Sequence, residues 1–276
     1  MLTRIISGVI GIALATFIIQ TGGLVFGAAV LVLMCVGWHE YSQAFRNMDT
    51  EPAYLTGFAA MAAFWACGWL NSADKMVAAA LAVTLCVLMQ AVFRHGKFNV
   101  GQACVSVTGI MYVGLPFTHL LLLRFWGDGS TIETSFGTME TGCAWLWIAL
   151  VGTWASDSFA YFAGRAFGKT KLCEKVSPKK TVEGFIGGAI GTAASVAALG
   201  SAFNFPMLPL AILGASLAAV ATIGDLVESI LKRYTGIKDS GILNAGHGGV
   251  LDRFDSMFWT AALIDLLVSW VPAFTK

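Results

Sequence analysis

Asp225, Glu228, Ser229, Lys232 and Arg233 stand at i, i+3, i+4, i+7 and i+8. At 100° per residue this spacing gathers them on one helical face, within an arc of roughly 140°, and leaves Leu226, Val227, Ile230 and Leu231 on the other. Further on, His247, Gly248 and Gly249 sit in a glycine-rich turn that can aim backbone N–H groups at phosphate oxygens. Asp252 and Asp255 follow at i and i+3, so both carboxylates can face one direction. Carboxylates beside phosphates are what Mg²⁺ takes, one or two at a time with retained water. Upstream, Asp157, Tyr161, Gly164 and Arg165 share a helical face, and Ser177-Pro-Lys179-Lys180-Thr181 sets two lysines between two hydroxyls. That pattern suits a polyphosphate, because lysine supplies point charge and the hydroxyls supply donors. Each feature also has a plainer reading. Glu228 and Lys232 can be an ordinary i, i+4 ion pair, the lysines can merely attract anionic lipid, and Asp157 can be held by a hydrogen bond to Tyr161.

The chain around these residues is made for a bilayer. Of its 276 residues, 57% are hydrophobic and 12% charged, about half the charged fraction of an ordinary soluble domain. A hydrocarbon core about 30 Å thick needs about 20 apolar residues per helix, and such runs occur near 4–20, 24–39, 53–70, 76–93, 103–123, 143–164, 184–203, 207–224 and 256–272. The expected fold class is therefore all-α, a polytopic membrane protein of about nine spans. The first run lacks a small-residue cleavage site and is followed at once by a second, so it reads as a retained helix. Pro116 predicts a kinked or broken fifth span. Trp38, Trp69, Trp126 and Trp270 lie near predicted span ends and suit an interfacial aromatic belt. The six cysteines show no metal-ligand spacing and read as packing residues.

Net charge is +1, so its distribution carries more than its total. The stretch 127–142 holds Asp128, Glu133 and Glu140 with no Lys or Arg, whereas 165–180 holds Arg165, Lys169, Lys171, Lys175, Lys179 and Lys180 against Glu174. The positive-inside rule puts the basic stretch in the cytoplasm. Alternating spans then place every Lys and Arg inside except Lys75, Arg124 and Lys276, with a cytoplasmic N-terminus. Residues 1–125 hold no cluster that would do chemistry and read as a transmembrane scaffold. Residues 126–276 carry the chemistry, in cytoplasmic loops 165–183 and 232–255. Ionisable residues beside a bilayer are costly to keep and mark function by default.

The stretch from Ser229 to Asp255 resembles the diagnostic motif of the phosphatidate cytidylyltransferases, also called CDP-diacylglycerol synthases. Its fixed positions are met by Ser229, Lys232, Arg233, Lys238, Asp239, His247, Gly248, Gly249, Asp252, Arg253 and Asp255. Ser177-Pro-Lys-Lys-Thr181, with Glu183 and Gly184, resembles a second block of the same family. The resemblance implies conversion of CTP and phosphatidate to CDP-diacylglycerol and pyrophosphate at the cytoplasmic face of a bacterial inner membrane. It implies Mg²⁺, with Asp225 and Asp252 as first ligands and Asp255 and Glu228 as helpers or ligands of a second cation. Lys232 and Arg253 join the three aspartates in the catalytic set. Lys179, Lys180, Arg233 and Lys238 hold phosphates, and Ser177, Thr181, Ser229, His247, Gly248, Gly249, Arg165 and Asp157 complete the substrate-binding set. His247 is expected to position phosphate rather than act as a base, since a phosphate monoester is already ionised near neutral pH. The implied partners are CTP, an anionic lipid and the bilayer, with no nucleic acid, and a homodimer is expected.

Two other classes use some of the same parts. An ion-coupled transporter would also hold Asp157 and Asp225 at membrane depth, but has no need of a glycine-rich turn between a basic helix and paired aspartates. A polyprenol or phytol kinase would share the nucleotide-binding problem and differ in its acceptor.

Overall fold

A computed structural model describes residues 2–238, 240–241 and 248–271, with side chains from residue 9 onward. Among them, each apolar run becomes one helix: α1 (Leu2–Thr21), α2 (Gly23–Arg46), α3 (Tyr54–Trp69), α4 (Ala73–Phe93), α5 (Val100–Arg124), α6 (Thr141–Phe167), α7 (Val182–Ala202), α8 (Met207–Tyr234) and α9 (Leu251–Trp270). Five of these, α2, α4, α5, α7 and α8, are long and apolar enough to cross a membrane. The protein is an all-α, multi-pass membrane protein. α4 buries only Val83 and Val87 and turns the rest of its apolar surface outward, as lipid allows.

Two additions interrupt the helical picture, and neither is foreseen by the hydrophobic runs. The acidic 127–142 stretch folds into an antiparallel hairpin, β1 (Thr131–Thr134) with β2 (Gly137–Glu140), and the basic stretch into another, β3 (Lys171–Cys173) with β4 (Ser177–Thr181). Strands of three to five residues are too short to give a periodic signal. The first hairpin turns at Ser135-Phe136 into Gly137, whose φ of 106° suits glycine alone.

Both hairpins are tied to α7, at opposite ends. Ser135 donates its N–H to Ala202 O at 2.8 Å and Asn204 Nδ2 donates to Glu133 O at 2.8 Å, fixing the acidic hairpin at the helix's end. The basic hairpin runs directly into its start, where Thr181 Oγ1 accepts the Gly184 N–H at 3.1 Å as an N-cap. With 21 residues, α7 separates them by about 30 Å, the thickness of the hydrocarbon core. The charge asymmetry expected across the membrane is thus built on a single helix.

Helix ends differ from the apolar runs where polar residues are buried inside the protein. α2 continues seven residues past the expected end at residue 39, because Glu40, Tyr41, Ser42 and Phe45 are buried against other helices. α8 runs to Tyr234, so the segment between α8 and α9 shortens to about residues 235–250. α5 begins with a capping box between Asn99 and Gln102 and passes unbroken through Pro116, so the expected break is absent. Trp38 is a correction: it is fully buried, donating Nε1–H to Tyr54 O at 2.9 Å, and belongs to the core rather than an interfacial belt. So are Cys86 and Cys104, which lie on exposed surface instead of packing inside. One hydrophobic core, with Trp38, Phe117, Trp145 and Phe258 in it, runs through both halves of the chain.

Candidate active site

The four helices α6 to α9 pack in sequence around one end of the molecule. Small residues let α6 and α7 approach closely: a Cβ at Gly184 would come within 2.8 Å of Ala160 O and 3.1 Å of Gly164 Cα. The basic hairpin is clamped above this crossing. The Glu183 carboxylate accepts the N–H groups of Lys169 (3.0 Å) and Thr170 (3.1 Å), and Lys171 Nζ donates to Pro178 O at 2.6 Å. The hairpin and helices α6, α7 and α8 line a cavity of about 460 Å³, within the range that takes a small-molecule ligand.

Six of the residues assigned to the site from the sequence line that cavity: Asp157 and Arg165 from α6, Lys179, Lys180 and Thr181 from the hairpin, and Asp225 from α8. Lys180 Nζ meets Asp225 Oδ2 at 2.8 Å and also points at Thr222 O, while Lys179 is exposed and carries its charge to the rim. Tyr161, also in the wall, accepts a hydrogen bond from Arg165 Nη1 at 3.0 Å. Its hydroxyl therefore orients the guanidinium and does not bond Asp157.

A second group forms where α8 meets α9. Lys232 Nζ bridges Glu228 Oε2 (2.6 Å) and Asp252 Oδ1 (2.7 Å). The surface-pair reading of Glu228 and Lys232 falls short, since Glu228 is buried and the lysine is shared with another helix. Asp252 Oδ2 accepts three more bonds, from Ser240 N–H (2.8 Å), Ser240 Oγ (2.8 Å) and Gly249 N–H (2.7 Å). Burial works against a charge on Asp252, and these donors compensate it.

The two groups adjoin through Asp225 and Asp255. Gly224 permits a close approach of α8 and α9, for a Cβ there would lie 2.5 Å from Asp255 O. Asp157, Asp225 and Asp255, from three helices, feel one another's charge, with Lys180 and Lys232 as neighbouring cations. Three carboxylates against two shared ammonium groups fit a cation. Among the described residues, no three His, Cys, Asp or Glu side chains converge closely enough to hold an ion by themselves. An ion here would therefore complete its shell with water and substrate oxygens, the habit of Mg²⁺. Asp252 is the poorest donor of the expected set, because a cation reaching Oδ1 would have to displace Lys232. Glu228 keeps Oε1 buried without a partner among the described residues.

Ser177, Arg233, Lys238 and Arg253 do not line the cavity. Ser177 pairs with Cys173 across the hairpin, and Arg233, Lys238 and Arg253 are exposed. Ser229 Oγ donates to Asp225 Oδ1 at 3.3 Å. Gly248 and Gly249 flank Asp252, and a Cβ at Gly248 would come within 3.0 Å of its Oδ2. His247 and Asp239 lie outside the described residues. The sequence reading missed Glu40 entirely. It accepts the N–H groups of Val250 (2.9 Å) and Leu251 (3.0 Å) at the start of α9. A lone carboxylate at the end of an apolar run was the signal available, and it stood in a half of the chain read as scaffold.

The model of the cytidylyltransferase family matches residues 2–271. The chain belongs to the cytidylyltransferase family. It is similar to the phosphatidate cytidylyltransferase of Synechocystis sp., 34% identical over 95% of this chain and 94% of that protein. The Bacillus subtilis phosphatidate cytidylyltransferase is 29% identical over 96% and 97% of the two chains, and that of Staphylococcus saprophyticus 34% identical over 72% and 71%. The matched residues include both the cavity lining and the Lys232–Asp252 group.

Proposed function

We propose that this protein is a phosphatidate cytidylyltransferase, joining CTP and phosphatidate to give CDP-diacylglycerol and pyrophosphate on the cytoplasmic side of a bacterial inner membrane. The observation that carries the reading is a cavity, in a chain of this family, whose wall sets Arg165, Lys179 and Lys180 among Asp157 and Asp225. A phosphatidate oxygen attacks the α-phosphorus of CTP, a new P–O bond forms, and the bond to pyrophosphate breaks. The nucleophile is a phosphate monoester, already ionised near neutral pH, so no protein base is needed. The work left to the chain is positioning and charge neutralisation.

Lys179, Lys180 and Arg165 hold the triphosphate in the cavity, Arg165 steadied by Tyr161. Lys232, fixed between Glu228 and Asp252, brings a positive charge towards the reacting phosphates from the other side. Asp225 and Asp255 would hold Mg²⁺, with Asp157 close by for a second cation, and Mg²⁺ when bound neutralises charge on the leaving pyrophosphate. Asp252 organises Lys232 and the Ser240 and Gly249 backbone. Exposed Phe159 and Phe162 on α6 leave the lipid's acyl chains in the membrane while its headgroup reaches the cavity. A homodimer is part of the reading, on size alone.

Purified protein in detergent, given CTP, phosphatidate and Mg²⁺, should release pyrophosphate and form CDP-diacylglycerol, and EDTA should stop it. Phosphorylation of a polyprenol at the expense of CTP, with phosphatidate untouched, would overturn the proposal in favour of a lipid kinase.

A further inference from the structure

Helix α9 opens without a cap of its own. Val250, at its N-cap, is itself in helical conformation and offers no side-chain acceptor, yet the first N–H groups of a helix must find partners. They find them on another helix. Glu40 of α2, only 4% exposed, places one carboxylate oxygen on Val250 N–H and the other on Leu251 N–H. The preceding N–H, of Gly249, goes to Asp252 Oδ2. Three consecutive backbone donors are thus shared between Glu40 and Asp252, and the two carboxylates face the same turn of chain.

The packing around Glu40 leaves no room for a side chain on the glycines beside it. A Cβ on Gly241 would sit 2.3 Å from Glu40 Oε1, and one on Gly249 would sit 2.5 Å from both oxygens. Both glycines therefore make room for the acid. A carboxylate at a helix N-terminus is also favoured by the helix dipole, which offsets the repulsion from Asp252.

We infer that Glu40 is a positioning residue for the transfer reaction: by bonding Val250 and Leu251 it sets the register of the Gly248–Asp252 turn, and through it the Asp252 carboxylate that aims Lys232. This rests on the proposed function for its catalytic readout, but the contact can be tested without it. Glu40→Gln keeps the shape and one acceptor oxygen while turning an NH₂ donor against a backbone N–H. Glu40→Asp keeps the charge and shortens the reach.

The experiment measures three things on wild type, Glu40→Gln, Glu40→Asp and, as a control, Asp265→Asn. Asp265 is a buried acid of α9 paired with His119 at 2.7 Å, far along the helix from the site. The first measurement is amide hydrogen exchange of peptides covering 248–258, the second is thermal unfolding in detergent, and the third is kcat and KM for CTP normalised to folded protein. Glu40→Gln should speed exchange at the start of α9 and lower kcat about tenfold with little change in KM. Glu40→Asp should recover part of both, and Asp265→Asn should lower the unfolding temperature with kcat unchanged. Unchanged exchange in Glu40→Gln, or a kcat equal to wild type once corrected for folded protein, would overturn the inference. If wild type makes no CDP-diacylglycerol, the proposed function fails, and the exchange result still decides whether Glu40 holds the turn.

Discussion

Two lysines that are neighbours in sequence have different surroundings, and that difference separates their roles. Lys179 is exposed at the cavity rim and has no acidic partner in contact among the described residues, whereas Lys180 is tied to Asp225 at 2.8 Å. Lys179→Ala should raise KM for CTP about tenfold while leaving kcat nearly intact, because a rim cation touches the triphosphate equally before and during transfer. Lys180→Ala should also lower kcat, since it frees Asp225 from the ion pair that sets its position. Steady-state kinetics at varied CTP separates the two, and identical profiles would remove the distinction. Asp252→Asn is the sharper case. An amide there turns an NH₂ towards donors it cannot accept from and leaves Lys232 with Glu228 alone, so kcat should fall about 100-fold. Raising Mg²⁺ should not restore it, as it would for a weakened metal ligand, and rescue by Mg²⁺ would return Asp252 to the ligand set.

At the level of elements, the spacing of Asp225, Glu228 and Lys232 was legible because a helix converts i, i+3 and i+7 into one face, and the structure keeps them on the side of α8 that meets the hairpin and α9. Runs of apolar residues located nine helices for the same reason. What sequence could not show were partners distant in the chain. Asp252 is expected as a metal ligand because carboxylates beside phosphates suit Mg²⁺, and nothing local reveals that Ser240, Gly249 and Lys232 also bond its oxygens. Glu40 was invisible because its bonds span 210 and 211 positions. Gly224 likewise looked like one small residue among many. It sets the distance between α8 and α9, so Gly224→Ala should push Asp225 and Asp255 apart against the backbone of Asp255. Overpacking of this kind destabilises by about 1–3 kcal/mol, and a drop in the detergent unfolding temperature with a matching loss of turnover would show it. An alanine variant with wild-type stability and activity would mean that the helices slide freely at that crossing.

For the whole molecule, α7 converts a charge pattern into an orientation. One of its ends carries the hairpin with Glu133 and Glu140, the other the hairpin with Lys171, Lys175, Lys179 and Lys180, and about 30 Å of helix lies between them. If positive residues are retained on the cytoplasmic side here as the rule has it, the cavity faces the compartment that supplies nucleotide. The prediction follows at two serines. Ser135 stands exposed in the turn of the acidic hairpin and Ser177 begins β4 of the basic one. In a background with its native cysteines replaced, Ser135→Cys should react with an impermeant thiol reagent added outside right-side-out inner-membrane vesicles, and Ser177→Cys only after the membrane is permeabilised. The reverse pattern would turn the cavity away from the cytoplasm, where CTP could not reach Lys179 and Lys180, and the proposed reaction would lose its nucleotide supply along with the orientation.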